Sequence, residues 1–142
     1  AGALGLKATI VTTKRESDAD EFFTGLFETA LEEDEIITSV RFSKPKRAAY
    51  MKFPNPASRY AIVGVMVAET PDGVRVAVTG AGDDGVFRAT EMEQALDSSF
   101  SANAIADIAI SDAELMSDIH ASAEYRAHLI SVMAKRAVEA AS

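Results

Sequence analysis

The chain contains no cysteine among its 142 residues. That absence excludes disulfides, thiolate zinc sites, iron–sulfur clusters and a cysteine nucleophile in one step. It also fits a reducing compartment, and a cytoplasmic location is expected. Histidine is scarce: only His120 and His128 occur. Neither accompanies a glycine-flanked serine, and no G-x-S-x-G elbow is present, so a Ser-His-Asp hydrolase finds no support. The longest apolar run, Ala61–Ala68, falls well short of the ~20 residues a membrane helix needs and reads as a buried strand. Positive charge is in deficit. The formal net charge is −8, and the only basic cluster, Lys44, Lys46 and Arg47, is short and split by Pro45, which argues against a nucleic-acid partner. No initiating methionine or charged-then-apolar leader opens the chain, which reads as beginning within a longer protein.

What is present is an ordinary globular balance. Hydrophobic residues make up 48% and charged residues 25%, enough apolar surface to offset chain entropy. The length suits one medium domain or two small lobes sharing a core. Leu6–Thr12 reads as a strand. Ser17–Phe27 offers Ser17 as an N-cap, acidic residues in a first turn, and an apolar face of Phe22, Phe23, Leu26 and Phe27, the pattern of a short helix or compact turn. Ile36–Phe42 alternates with period two and predicts a half-buried strand. Ser43–Ala48, with its proline and basic residues, is the candidate boundary between two lobes.

Tyr60–Glu69 and Val74–Thr79 flank Thr70-Pro71-Asp72-Gly73, the turn chemistry of an antiparallel hairpin whose first strand is apolar on both faces and central. The rest is predicted helical. Thr90 and Glu93 have capping-box spacing, Ser101–Ala109 suits a second short helix, and Ser122 caps a long helix over Ala123–Ala140. Strands first and helices last give an α+β fold: a small antiparallel sheet with a C-terminal helical layer on one side.

Gly80-Ala81-Gly82-Asp83-Asp84-Gly85 matches the dinucleotide fingerprint letter for letter. That motif works only within a βαβ unit, with the pyrophosphate on a helix N-terminus. Here the preceding strand belongs to an antiparallel hairpin and two aspartates would face the phosphates, so a strand-to-helix turn is the better reading. His120, Glu124 and His128 recur every four residues and would share a helix face able to bind a metal, but a cap at Ser122 leaves His120 outside the helix. The run Glu32–Glu35 reads as a solvated loop rather than paired acid–base carboxylates.

Tyr50–Val67 carries the one constellation with a ligand rationale. Lys52 sits two residues from Tyr50 beside a loop stiffened by Pro54 and Pro56, and Arg59 enters the apolar strand that follows. An ammonium and an aromatic face at a lobe junction suit an anionic, planar ligand. A surface lysine and a junction tyrosine explain the same residues equally well.

Four collinear stretches resemble a known family: Glu21–Gly25 with Thr29–Glu32; Asp34–Ile37; Tyr50–Lys52 through Arg59 to Ala68; and Arg88–Leu96 with Asp118–Arg126. They are similar to the C-terminal part of the FAD-binding (medium) subunit of the molybdenum hydroxylases, the group of carbon monoxide dehydrogenase and xanthine dehydrogenase. The Asn55–Tyr60 loop leans toward the carbon-monoxide-dehydrogenase-like branch. The resemblance implies an oxidoreductase subunit in which FAD relays electrons, partnered by a large molybdenum-pterin subunit and a small [2Fe–2S] subunit. Carried over by position, Ile37 and Lys52 are flavin contacts and Tyr50 lies near the isoalloxazine. Arg59 matches a recurrent arginine, although the aspartate that often follows it is Ile62 here. Residues 1–47 would be the end of the FAD-binding domain and 48–142 the C-terminal α+β domain. The glycine-rich loops that hold the FAD diphosphate are not in this sequence, so weak or absent FAD binding is expected of it. A protein-interaction module without a redox role is the alternative. A stand-alone enzyme lacks any convergent nucleophile and base.

Overall fold

A computed structural model describes residues 1–142. Its centre is a four-stranded antiparallel sheet in the order β6-β7-β8-β9, formed by Arg47–Pro54, Ala61–Thr70, Gly73–Gly82 and Gly85–Arg88. The β7–β8 hairpin forms as the sequence predicts: Pro71 and Asp72 make the two-residue turn, and Gly73 takes φ +123°, a conformation glycine adopts without steric cost. β7 is central, and Val63, Val65 and Val67 along it are fully buried.

One face of this sheet carries the helices, as expected. α3 (Thr90–Ser98) and α4 (Ala123–Ala141) bury Met92, Leu96, Ile130, Met133 and Val138 against the valines of β7 and β8 in the main core. Ser122 caps α4, its hydroxyl accepting from the Tyr125 amide. The segment 101–109 contributes only a short 3-10 turn, Ala102–Ile105, capped by Ser101. The expected capping box at Thr90 does not form. Ala89 is the N-cap residue, and Glu93 turns inward to accept from the Val76 amide and the Arg88 guanidinium, a stronger charge-assisted use of the carboxylate.

The opposite face is covered by the N-terminal lobe. A one-turn helix α1 (Gly2–Gly5) packs there, and Leu4, Ala8, Ile10, Ala19, Phe22 and Ala77 form a second small core. A Cβ on Gly5 would approach a Met66 side-chain carbon to 2.7 Å, so the absence of a side chain lets this turn reach the sheet. Arg75, on the nominally polar face of β8, is 6% exposed; it donates to the Leu4 carbonyl and pairs with Asp20. Buried charge of this kind needs such partners.

Within the lobe, β1 (Thr9–Thr12) lies between β2 (Glu16–Asp18) and β5 (Ile37–Arg41). Three expectations are corrected here. Ser17 belongs to β2, opposite Ile10, and is no helix cap; the helix that follows, α2 (Ala19–Phe22), is a single turn. The apolar face of Phe22, Phe23, Leu26 and Phe27 is not shared, because only Phe22 is buried, while β3 (Phe23–Gly25) and β4 (Glu28–Thr29) form a small ribbon with Phe27 at its exposed tip. β5 is exposed along its length rather than half-buried, being an edge strand with no element of this chain packed over it.

Candidate functional site

Tyr50 and Lys52 are two residues apart on β6 and so point to the same face, while Met51 and Phe53 turn to the helical core. Their face is the one shared with the N-terminal lobe, and the lobe does not cover it completely. A cleft of about 970 Å³ remains. The β3–β4 ribbon forms one wall, Tyr50 and Lys52 another, and the loops around Tyr60 and Asp118–His120 close its ends.

The tyrosine is fitted closely to β7. Tyr50 pairs in register with Met66 and Lys52 with Gly64, and a Cβ on Gly64 would lie 2.1 Å from the Tyr50 hydroxyl oxygen. The glycine makes room for the phenol. Partial burial of the ring pushes the phenol up from its ordinary value, so it remains a neutral donor near pH 7. Lys52 donates to the Arg59 carbonyl at 3.1 Å, leaving further ammonium hydrogens free, and its head is exposed. Arg59 itself takes φ +64°, in a loop held by the Asn55 side chain, which accepts from the Ala57 and Ser58 amides.

A deeper network sets the far end. Arg126, on the first turn of α4, is 3% exposed. It donates from Nη1 to the Ile62 and Gly80 carbonyls, both at 2.7 Å, and from Nη2 to Asp118 at 2.8 Å. The His120 and Ala121 amides donate to Asp118 and, with Arg126, hold its carboxyl below the usual range. Reading the sequence alone misses this arginine as a site element. Its signals there are its place in the Asp118–Arg126 stretch and the Asp118–Ser122–Arg126 spacing, in which an aspartate-nucleated turn precedes a helix cap.

The structure therefore brings Tyr50 and Lys52 together, with Arg59 at the same cleft, but not Ile37. Ile37 lies on β5 opposite Thr12 and is absent from the cleft walls. The glycine-rich stretch Gly80–Gly85 also differs from expectation. It is the β8–β9 turn, an antiparallel hairpin with Gly82 opposite Gly85, rather than a strand-to-helix turn. No helix begins on it, as a dinucleotide loop requires. His120 lies before α4, and His128 stacks on Tyr125 with centroids 6.5 Å apart.

Residues 48–141 match the family model of the CO dehydrogenase flavoprotein C-terminal domain. The chain belongs to that family. Over 138 residues it is 33% identical to the nicotine 6-hydroxylase medium subunit of Paenarthrobacter nicotinovorans, covering 90% of this chain and 48% of the relative. It is 30% identical over 139 residues to the carbon monoxide dehydrogenase medium chain of Hydrogenophaga pseudoflava, with the same coverage. The chain spans about half the length of these relatives. Among solved structures it is similar to quinoline 2-oxidoreductase from Pseudomonas putida 86, with a TM-score of 0.77, 22% identity, and coverage of 98% of this chain and 53% of that one. That likeness shows a shared α+β fold. In this flavoprotein family member, no helix is long and apolar enough to cross a membrane.

Whether the cleft suits a flavin can be judged from its own groups. Tyr50 hydroxyl and Lys52 ammonium offer donors two residues apart, and Phe23, Phe27 and Tyr60 offer apolar faces around them. Such a set fits a planar heteroaromatic ring edged with carbonyl acceptors. It does not fit a diphosphate equally well. The cleft glycines Gly80, Gly82 and Gly85 belong to a strand pair, not to a nest of converging amides.

Proposed function

We propose that this chain is the C-terminal part of the flavoprotein subunit of a carbon-monoxide-dehydrogenase-like molybdenum hydroxylase. In that reading the subunit receives electrons from [2Fe–2S] clusters of a small subunit, and substrate is oxidised at a molybdenum-pterin centre in a large one. Residues 1–47 end the FAD-binding domain, and 48–142 form the C-terminal domain. The observation that carries the reading is the Tyr50–Lys52 cleft, found at the junction of these two parts in a chain of this family.

FAD, when bound, supplies the redox centre that exchanges one or two electrons between the clusters and an acceptor. The chain's residues supply the surroundings. Lys52 places positive charge and N–H donors where a ring carrying negative charge is stabilised. Tyr50 gives a neutral hydroxyl and an aromatic edge, held in one rotamer by its fit over Gly64. The β3–β4 ribbon with Phe23 limits water on the opposite side. Ile37, on the exposed edge strand β5, serves as an apolar flavin contact only if the rest of the FAD domain brings the cofactor across that strand.

Titration of FAD, followed by flavin fluorescence, tests the division of labour. The full-length subunit is expected to quench it saturably and tightly, and the 142-residue chain weakly or not at all. Tight binding by this chain, or none by the full-length subunit, contradicts the proposal.

A further inference from the structure

β7 and β8 stop pairing inside the cleft. Their ladder runs from Thr70 opposite Gly73 to Gly64 opposite Thr79; Gly80, one residue beyond on β8, and Ile62, two beyond on β7, have no register partner in the other strand. From there β8 turns away. The Ala81 carbonyl accepts from the Met116 amide, and Gly82 bridges to Leu115. Two carbonyls are thus left in the fork between diverging strands, where an unmade hydrogen bond is costly.

The Arg126 guanidinium occupies that fork. One nitrogen bridges the Ile62 and Gly80 carbonyls, and another reaches Asp118, whose turn carries His120 at the cleft's end. A Cβ on Gly80 would lie 2.4 Å from the Ala61 carbonyl oxygen, so the fork is narrow, and Gly80 enters it at φ +80°. The guanidinium satisfies two backbone carbonyls and a carboxylate that would otherwise lack partners, so its removal costs stability as well. What a planar, forked donor adds is geometry: three acceptors on three elements held at fixed separation.

We infer that Arg126 is a positioning residue of the flavin-side cleft. It holds β7, β8 and the Asp118–Ala121 turn apart at the spacing that keeps the cleft open beside Tyr50 and Lys52. The inference rests on the proposed flavin reading of that cleft.

The test uses the full-length subunit with Arg126→Lys, Arg126→Met, Asp118→Ala and Lys52→Ala. Each is measured for melting temperature, FAD dissociation constant and the visible circular dichroism of bound flavin. Arg126→Met is expected to weaken FAD retention roughly tenfold to a hundredfold, by analogy with loss of an outer partner behind a ligand contact. The flavin dichroism should change with it, and Arg126→Lys should restore only part of the loss. A folded Arg126→Met variant with wild-type FAD affinity and dichroism, and only a lowered melting temperature, overturns the inference. If neither Arg126 variant folds, Asp118→Ala decides by the same two readouts, because it releases one of the three tethers. Unchanged flavin behaviour in Lys52→Ala instead removes the underlying flavin reading, an outcome distinct from failure at Arg126.

Discussion

Tyr50 lies against Gly64 so closely that the smallest side chain at the glycine would overlap the phenol oxygen, with 2.1 Å between the added carbon and the hydroxyl. The pair is cross-strand and diagonal, two positions out of direct register, and it fixes where the ring sits in the cleft. Gly64→Ala is therefore expected to swing Tyr50 into another rotamer and to destabilise the fold by about 1–3 kcal/mol, as overpacking does. Chemical denaturation and a crystal structure of the variant check both effects. An alanine accommodated with Tyr50 unmoved contradicts the fit.

Glu35 gives a prediction in pH. Its carboxylate accepts from Thr12 at 2.6 Å, from the Glu32 amide and from Arg15, and these bonds lower it from 4.5 to about 2. Because the folded value lies below the unfolded one, the charged form is favoured by folding. The contribution is fully present above the unfolded value and is lost as pH falls from there through about 2. Glu35→Gln should flatten the acid slope of stability between those limits, measured by denaturation at stepped pH. An unchanged slope shows the carboxylate is not the titrating group.

Arg75 and Asp20 join the N-terminal lobe to the sheet. Burial works to raise the Asp20 carboxyl, and the Arg75 hydrogen bond and charge overcome it, leaving it lowered. Asp20 keeps a third of its side chain in solvent, so the pair is worth less than a fully enclosed one. Arg75→Ala is expected to cost roughly 3 kcal/mol, the low end of the range for breaking a buried pair. Limited proteolysis should then cut within residues 1–20 first. Loss of stability without earlier cleavage there argues that the arginine does not tether the lobe.

Ser122 offers a local control. Its hydroxyl caps α4, and Ser122→Ala should cost about 1 kcal/mol with no change at the cleft. A much larger loss, read by thermal melting, points to a role beyond the cap.

These cases show what was legible beforehand. The β7–β8 hairpin and the α4 cap follow from turn and capping chemistry within a few residues, so the sequence displays them directly. The burial of Arg75 is not legible locally, because no pattern within β8 reveals that a distant lobe covers that face. β5 fails in the opposite sense: its alternation is regular, yet no element of this chain covers it. Glu93 has the spacing of a capping-box residue, but Arg88 and the Val76 amide, both fixed by tertiary pairing, claim it. Spacing and resemblance single out Tyr50 and Lys52, and alternation on one strand explains why they converge. Arg126 stayed hidden because its acceptors are backbone carbonyls 64 and 46 residues away, which no local pattern encodes.

The central claim is that the Tyr50–Lys52 cleft is the flavin-side wall of the C-terminal domain. The most direct measurement is the FAD dissociation constant of the full-length subunit with Lys52→Ala, read together with its rate of electron transfer to acceptor. The account predicts weaker FAD binding and a slower rate in a variant that folds normally. Unchanged affinity and an unchanged rate would contradict it.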